Sequence, residues 1–196
     1  MNKASSTRMH ILEQSFGLIY KNGYQATSID KIIDTTQLTK GAFYYHFKTK
    51  EEMGIAMIKE VVAPRLNKLL IAPIKNSADP LERIYQTIKK NLIEDTDFDI
   101  QYGCPINNLI QEMSPIKENF KMTLQKVIED WKKAIVKELE NGKKTGVVNK
   151  EIDSNAVAEF IIVSYEGLRG TGKVYQNFKL YESYIKQLKF YLNALR

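Results

Sequence analysis

The chain has 196 residues, 43% hydrophobic and 27% charged, with a net charge of +6 at pH 7. That length allows one large or two small domains with a real core, and the composition is ordinary for a soluble globular protein. The single cysteine, Cys104, excludes an intramolecular disulfide framework and fits a reducing cytoplasm.

No transmembrane segment is expected, because the best candidate, Val157 to Tyr165, is too short and is broken by Glu159. Ile11-Leu12 is followed at once by Glu13-Gln14, which argues against a signal peptide.

The predicted elements are all helical. Ile11-Leu12, Ser15-Phe16 and Ile19-Tyr20 recur every four residues, so a first helix runs from about Thr7 to Asn22 and stops at Gly23. Thr27 with Asp30 fits a capping box ahead of a short helix from Ser28 to Asp34. Thr35 to Leu38 is a polar turn with one apolar anchor. Thr39 caps a second short helix from Lys40 to about Tyr45, with Phe43 and Phe47 on its inner side. Thr49 with Glu52 is another capping box and starts a long helix at Lys50, which Pro64 should kink or split.

Asp79 caps and Pro80 opens the fifth helix, with Leu81, Ile84, Tyr85, Ile88 and Leu92 on one face. Residues 95 to 103 read as an irregular acidic stretch. Cys104-Pro105 opens a sixth helix through Met113, and Ser114-Pro115 a seventh that Gly142 and Gly146 end. Asp153 caps the eighth, Ser154 to Tyr175, and a ninth spans Leu180 to Leu195. No alternating strand pattern competes. The reading is an all-α fold of about nine helices, divided into residues 1–50 and 51–196.

The segment from Thr27 to Met53 carries the most chemistry. Small Gly41 and Ala42 permit close approach to base edges, and the Ala42 methyl can touch a thymine methyl. Lys50 at a helix N-terminus combines dipole, free N–H groups and charge into a phosphate site. Seven Lys or Arg against three Asp or Glu place +4 of the net charge in the first 50 residues, as suits an N-terminal nucleic-acid module.

The run Thr39-Lys40-Gly41-Ala42-Phe43-Tyr44-Tyr45-His46-Phe47, with Lys48, Lys50 and Glu51 after it and Gly23-Tyr24 and Thr27 before it, resembles the TetR family of bacterial transcriptional repressors. The resemblance is specific over about residues 7 to 55. It implies a three-helix helix-turn-helix DNA-binding domain followed by a helical ligand-binding and dimerisation domain. It also implies phosphate contacts from Thr27, Tyr44, His46 and Lys50, and base contacts from Lys40, Gly41, Ala42 and Tyr45. Ser28, Thr39 and Lys48 join the expected DNA surface.

In that family the last two long helices pair with their copies in a second chain. A stripe of Phe160, Val163, Gly167, Gly170 and Val174 on the eighth helix fits this use, although packing within one chain remains open. Each glycine there costs roughly 1 kcal/mol of helix propensity, which close approach of another helix would offset. Helices five to eight would surround a ligand site. Candidate lining residues are Tyr85, Ile88, Leu92, Cys104, Asn108, Gln111, Phe120, Trp131, Phe160 and Tyr165, suggesting a mainly apolar ligand with one or two polar points. A helix N-terminus at Cys104 would lower its thiol pKa and make it a candidate sensor, against the plainer reading of a small buried residue.

Gly167 and Gly172-Lys173 mimic part of a phosphate-binding loop, but position 174 is Val where a hydroxyl is needed. The two histidines lie far apart and no Cys or acidic cluster has ligand spacing. No catalytic residue, metal or cofactor is therefore expected. The expected partners are a palindromic double-stranded DNA operator, a small-molecule inducer and a second copy of the chain. The alternatives are a DNA-binding protein of the same fold without an inducer and an enzyme with an accessory DNA-binding head.

Overall fold

The structure, a computed structural model, describes residues 3–94 and 99–196. Among these it holds helices and no strand: α1 Lys3–Asn22, α2 Ile29–Thr36, α3 Lys40–His46, α4 Lys50–Met57, α5 Ala63–Leu66, α6 Pro80–Lys89, α7 Pro105–Met113, α8 Glu118–Thr145, α9 Ser154–Tyr175 and α10 Phe178–Asn193. Taking the interrupted α4–α5 run as one helix leaves nine. Of the acidic stretch expected to be irregular, residues 95–98 lie outside the described residues, and Asp99 to Gly103 form a hydrogen-bonded turn.

The chain forms two units, one of Met1–Arg65 with Asn108–Lys126, the other of Leu66–Asn107 with Val127–Arg196. The first therefore extends past the boundary expected at residue 50, and it recruits a later segment.

In the first unit α1 ends at Gly23, whose φ of 89° and N–H bond to the Ile19 carbonyl make a left-handed helix stop. Ile11, Leu12, Ile32, Phe43, Phe47 and Met53 are buried together with Phe120. At Gly54 a Cβ would stand 2.7 Å from both Phe120 and Tyr24, so only glycine permits that approach. Phe120, expected in a ligand site, is core here, its ring 4.8 Å from that of Tyr24. The expected break at Pro64 takes the form of π-helical turns at Ile58–Val62 and Asn67–Ile71 on either side of α5. The missing N–H of proline is tolerated where the ladder is already widened.

In the second unit Asp79 caps α6 by accepting from the Glu82 N–H, with Pro80 in the first turn. A π turn, Lys90–Glu94, continues α6. Trp131, Ile135 and Leu139 of α8 are buried, as are Ile161, Tyr165 and Leu168 of α9 and Tyr181, Ile185 and Leu188 of α10. The start of α8 departs from expectation. Ser114 and Pro115 lie in a turn closed by the Lys117 N–H on the Met113 carbonyl, and the helix begins at Glu118. Gly142 stays inside α8, where a Cβ would stand 2.4 Å from Val148, and Gly146 alone follows its end.

Candidate nucleic-acid interface and ligand cavity

Two caps set the helix-turn-helix. Ser28 Oγ accepts from the Lys31 N–H and opens α2, and Thr39 Oγ1 accepts from the Ala42 N–H and opens α3. Between them Gln37 takes the left-handed conformation at φ 55°. The Thr27–Asp30 capping box is corrected. Thr27 is fully buried and its hydroxyl donates to the Gly23 carbonyl at 2.7 Å, so the cap falls one residue later. Burial also removes the Thr27 side chain from any surface a duplex reaches. At α4 Thr49 caps through the Glu52 N–H, while the Glu52 carboxylate accepts from the Lys48 N–H rather than from the cap residue itself.

Phe43 and Phe47 anchor α3 from within, leaving Tyr44 43% and Tyr45 78% exposed. Gly41 is exposed, with only the Thr39 hydroxyl within 4.0 Å of a built Cβ. Ala42 and His46 are half-buried, and Thr39, Lys40 and Lys48 are exposed. The Lys40 ammonium lies 3.2 Å from Asp30 in an exposed pair, worth at most about 1 kcal/mol and easily exchanged for another partner. Lys50 Nζ donates to the Gln25 carbonyl at 3.3 Å and sits 4.3 Å from the Tyr24 ring centre. Burial pulls its pKa down, against Glu112. This anchoring fixes the ammonium and leaves further N–H groups for a phosphate.

Glu112 was not legible in the sequence as part of this surface. Its carboxylate accepts from the Tyr24 N–H at 2.8 Å and the Gln25 N–H at 2.7 Å, clamping the loop between α1 and α2. Glu112→Ala is expected to destabilise the first unit by about 1.5–3 kcal/mol, the range for hydrogen bonds to charged groups. Chemical denaturation checks this, and an unchanged midpoint would show the clamp to be idle.

In the second unit several polar groups are buried together. Cys104, 5% exposed, donates to Glu166 at 3.3 Å. Tyr165 donates to Asn91, Arg169 donates to the Gly103 carbonyl, and the Trp131 ring stands edge-on to Tyr165 at 5.3 Å. The expectation of a lowered Cys104 pKa is corrected: burial first, and the Glu166 carboxylate second, push the thiol well up. Desolvation outweighs the helix N-terminus, so the thiol is expected to react with a disulfide reagent only on unfolding. Rapid stoichiometric labelling of the folded protein would contradict this.

Burial raises the Glu166 carboxyl above its ordinary range despite lowering contributions from Cys104, Asn107 and Arg169. A carboxyl raised on folding stabilises fully below its unfolded pKa of about 4.3, and this contribution fades as pH climbs through the folded value. Glu166→Gln is expected to remove that decline. Denaturation measured from about pH 4 to pH 8 would show parallel profiles if the reasoning were wrong.

A cavity of about 310 Å³ in this unit is lined by Lys68, Leu69 and Pro73 on one wall and by Arg83, Gln86, Thr87, Lys90 and Asn91 on the other. None of the ten expected lining residues touches it. Ile88, Leu92, Cys104, Trp131 and Tyr165 are core. Tyr85 lies under the Lys189 ammonium. Phe160 is 49% exposed and packs on Tyr191. Asn108 and Gln111 belong to the first unit, with Gln111 on its surface. This cavity carries basic and amide side chains beside apolar Leu69 and Pro73.

A family model described as bacterial regulatory proteins, tetR family, matches residues 11–57, and one described as tetracyclin repressor-like, C-terminal domain, matches residues 80–188. The chain belongs to the TetR family. It is 33% identical over 184 residues to an uncharacterized HTH-type transcriptional regulator of Lactococcus lactis subsp. lactis, covering 94% of this chain and 92% of that one. It is 27% identical to the HTH-type transcriptional repressor DhaR of a Mycobacterium species, covering 82% and 79%. A TetR-family regulator from Cytophaga hutchinsonii shares the fold, with a TM-score of 0.88 at 22% identity over 100% of this chain and 98% of that one. This TetR-family chain is a DNA-binding transcriptional regulator.

In this TetR-family chain the stripe on α9 faces outward. Val163 is 69% and Val174 83% exposed, and a Cβ at Gly167 would meet nothing within 4 Å. At Gly170 it would meet only Asn107, at 3.9 Å. Gly167 is therefore open on its outer side, while Gly170 is half-buried beside Asn107. The phosphate-loop resemblance also ends here, because Gly167 to Lys173 lie within continuous helix and a Cβ at Gly172 would collide with Tyr181 at 2.3 Å. Among the described residues no group of three metal-ligating side chains occurs, and no helix is long and apolar enough to cross a membrane.

Proposed function

We propose that this chain is a cytoplasmic repressor that binds a palindromic operator as a homodimer and is released by a small molecule. The observation that carries the reading is the outer face of α3, where Gly41, Tyr44 and Tyr45 stand exposed between Lys40 and Lys48 on a helix held from behind by Phe43 and Phe47. Such a helix enters a major groove. Lys40, Gly41, Ala42 and Tyr45 then face base edges. Ser28, Thr39, Tyr44, His46, Lys48 and Lys50 face phosphates, with Thr27 supporting the loop from beneath. The exposed stripe of α9, with Phe160 at one end and Val174 at the other, supplies the surface for the second copy. Nothing in this reading calls for a catalytic residue or cofactor.

Fluorescence anisotropy with a selected operator tests it. Two protomers are expected per site, with affinity falling steeply as salt rises. Lys50→Ala is expected to flatten the salt dependence by about one unit of slope. Salt-independent binding, or one protomer per site, would refute the scheme.

A further inference from the structure

We propose that the cavity between the Asn67–Ile71 turn and α6 is a binding site for a small oxyanion, a carboxylate or a phosphate ester. The proposal rests on the reading of this chain as a ligand-responsive regulator, and it names the chemistry of the ligand.

The lining sets three cations and the polar side chains of Gln86, Thr87 and Asn91 beside apolar Leu69 and Pro73. Lys68, Arg83 and Lys90 bring three cations to one cavity, and none forms an ion pair among the described residues. Arg83, Thr87, Lys90 and Asn91 follow one another at helical spacing along one face. At the inner end Thr87 is 7% and Asn91 4% exposed. Asn91 accepts from Tyr165 through Oδ1, while its Nδ2 has no hydrogen-bond partner among the described residues. An unpartnered buried donor is costly, and an acceptor on a ligand relieves that cost.

Both walls leave the α-helical register at the cavity: Lys68 lies in one π turn, and Lys90 and Asn91 lie in another. Such turns recur at functional sites. Cations with no ion pair among the described residues favour a ligand that brings the negative charge, and the volume of about 310 Å³ limits it to a small molecule. The Tyr165 hydroxyl that reaches Asn91 belongs to the ring standing edge-on to Trp131, the chain's only tryptophan, so occupancy at Asn91 has an optical reporter.

The test is a Trp131 fluorescence titration of the full chain with butyrate, benzoate, succinate and glycerol phosphate, with butyramide and benzamide as neutral controls. At least one anion is expected to bind saturably, and the amides are not. Preference for the carboxylates or for glycerol phosphate identifies the source of the oxyanion. Arg83→Gln with Lys90→Gln, both exposed and outside the core, is expected to weaken binding about tenfold or more while far-ultraviolet dichroism stays unchanged. No saturable binding by any of the anions overturns the proposal, as does equal binding of the amides or indifference to the double variant. Operator affinity is read in parallel. An anion that binds here without changing operator affinity leaves the site standing and defeats the inducer reading. Operator release by a compound indifferent to Arg83 and Lys90 does the reverse.

Discussion

Changing Tyr44 and Lys50 together to Ala is expected to lower operator affinity about a thousandfold. Each lost phosphate bond is worth about 1 kcal/mol, and a dimer loses four. The loss should be equal across DNA sequences, because phosphate contacts position the protein and carry no base information. Lys40→Ala or Tyr45→Ala should instead alter base preference. Tyr44 is 43% exposed, so its truncation leaves the core intact. Lys50 covers the Tyr24 ring, and a thermal melt of the free protein accounts for that packing loss separately. Unaltered affinity in the double variant would place the DNA surface elsewhere.

Gly170→Leu is expected to convert the proposed dimer to monomers and to carry operator binding down with it. Added side-chain volume in a close-packed contact costs about 1–3 kcal/mol, felt twice across a two-fold axis. Dimer affinity should fall about thirtyfold or more. Gly167→Leu is the matched probe, since a Cβ there meets nothing within 4 Å among the described residues. Sedimentation velocity reads the outcome. Variants that remain fully dimeric would remove this stripe from the interface.

The elements legible in the sequence were those with local punctuation. Asp153 before α9, the Asp79-Pro80 pair before α6 and Pro105 before α7 are start signals that need no tertiary partner. Where two residues offered the same chemistry, tertiary context decided. Thr27 and Ser28 both suit a cap, and burial of Thr27 against the Gly23 carbonyl left the role to Ser28. Ser114-Pro115 looked like a helix start, but the preceding helix closes through Lys117 first.

The inner face of α3 followed from the spacing of Phe43 and Phe47. The clamp by Glu112 did not, because it joins residues about ninety positions apart. The cavity escaped for a related reason. Its cations come from two separated segments, and residue type drew the reading toward aromatics such as Phe120 and Phe160, of which one is core and the other faces out.

The central claim is that the α3 face reads DNA, and selection of bound genomic fragments tests it most directly. Wild-type protein should enrich fragments sharing an inverted repeat, its half-sites spaced by about one helical turn, near 34–36 Å, or a multiple of it. The Tyr44→Ala, Lys50→Ala variant should enrich none. No shared motif with the wild-type protein, or the same motif recovered with the double variant, would contradict the account.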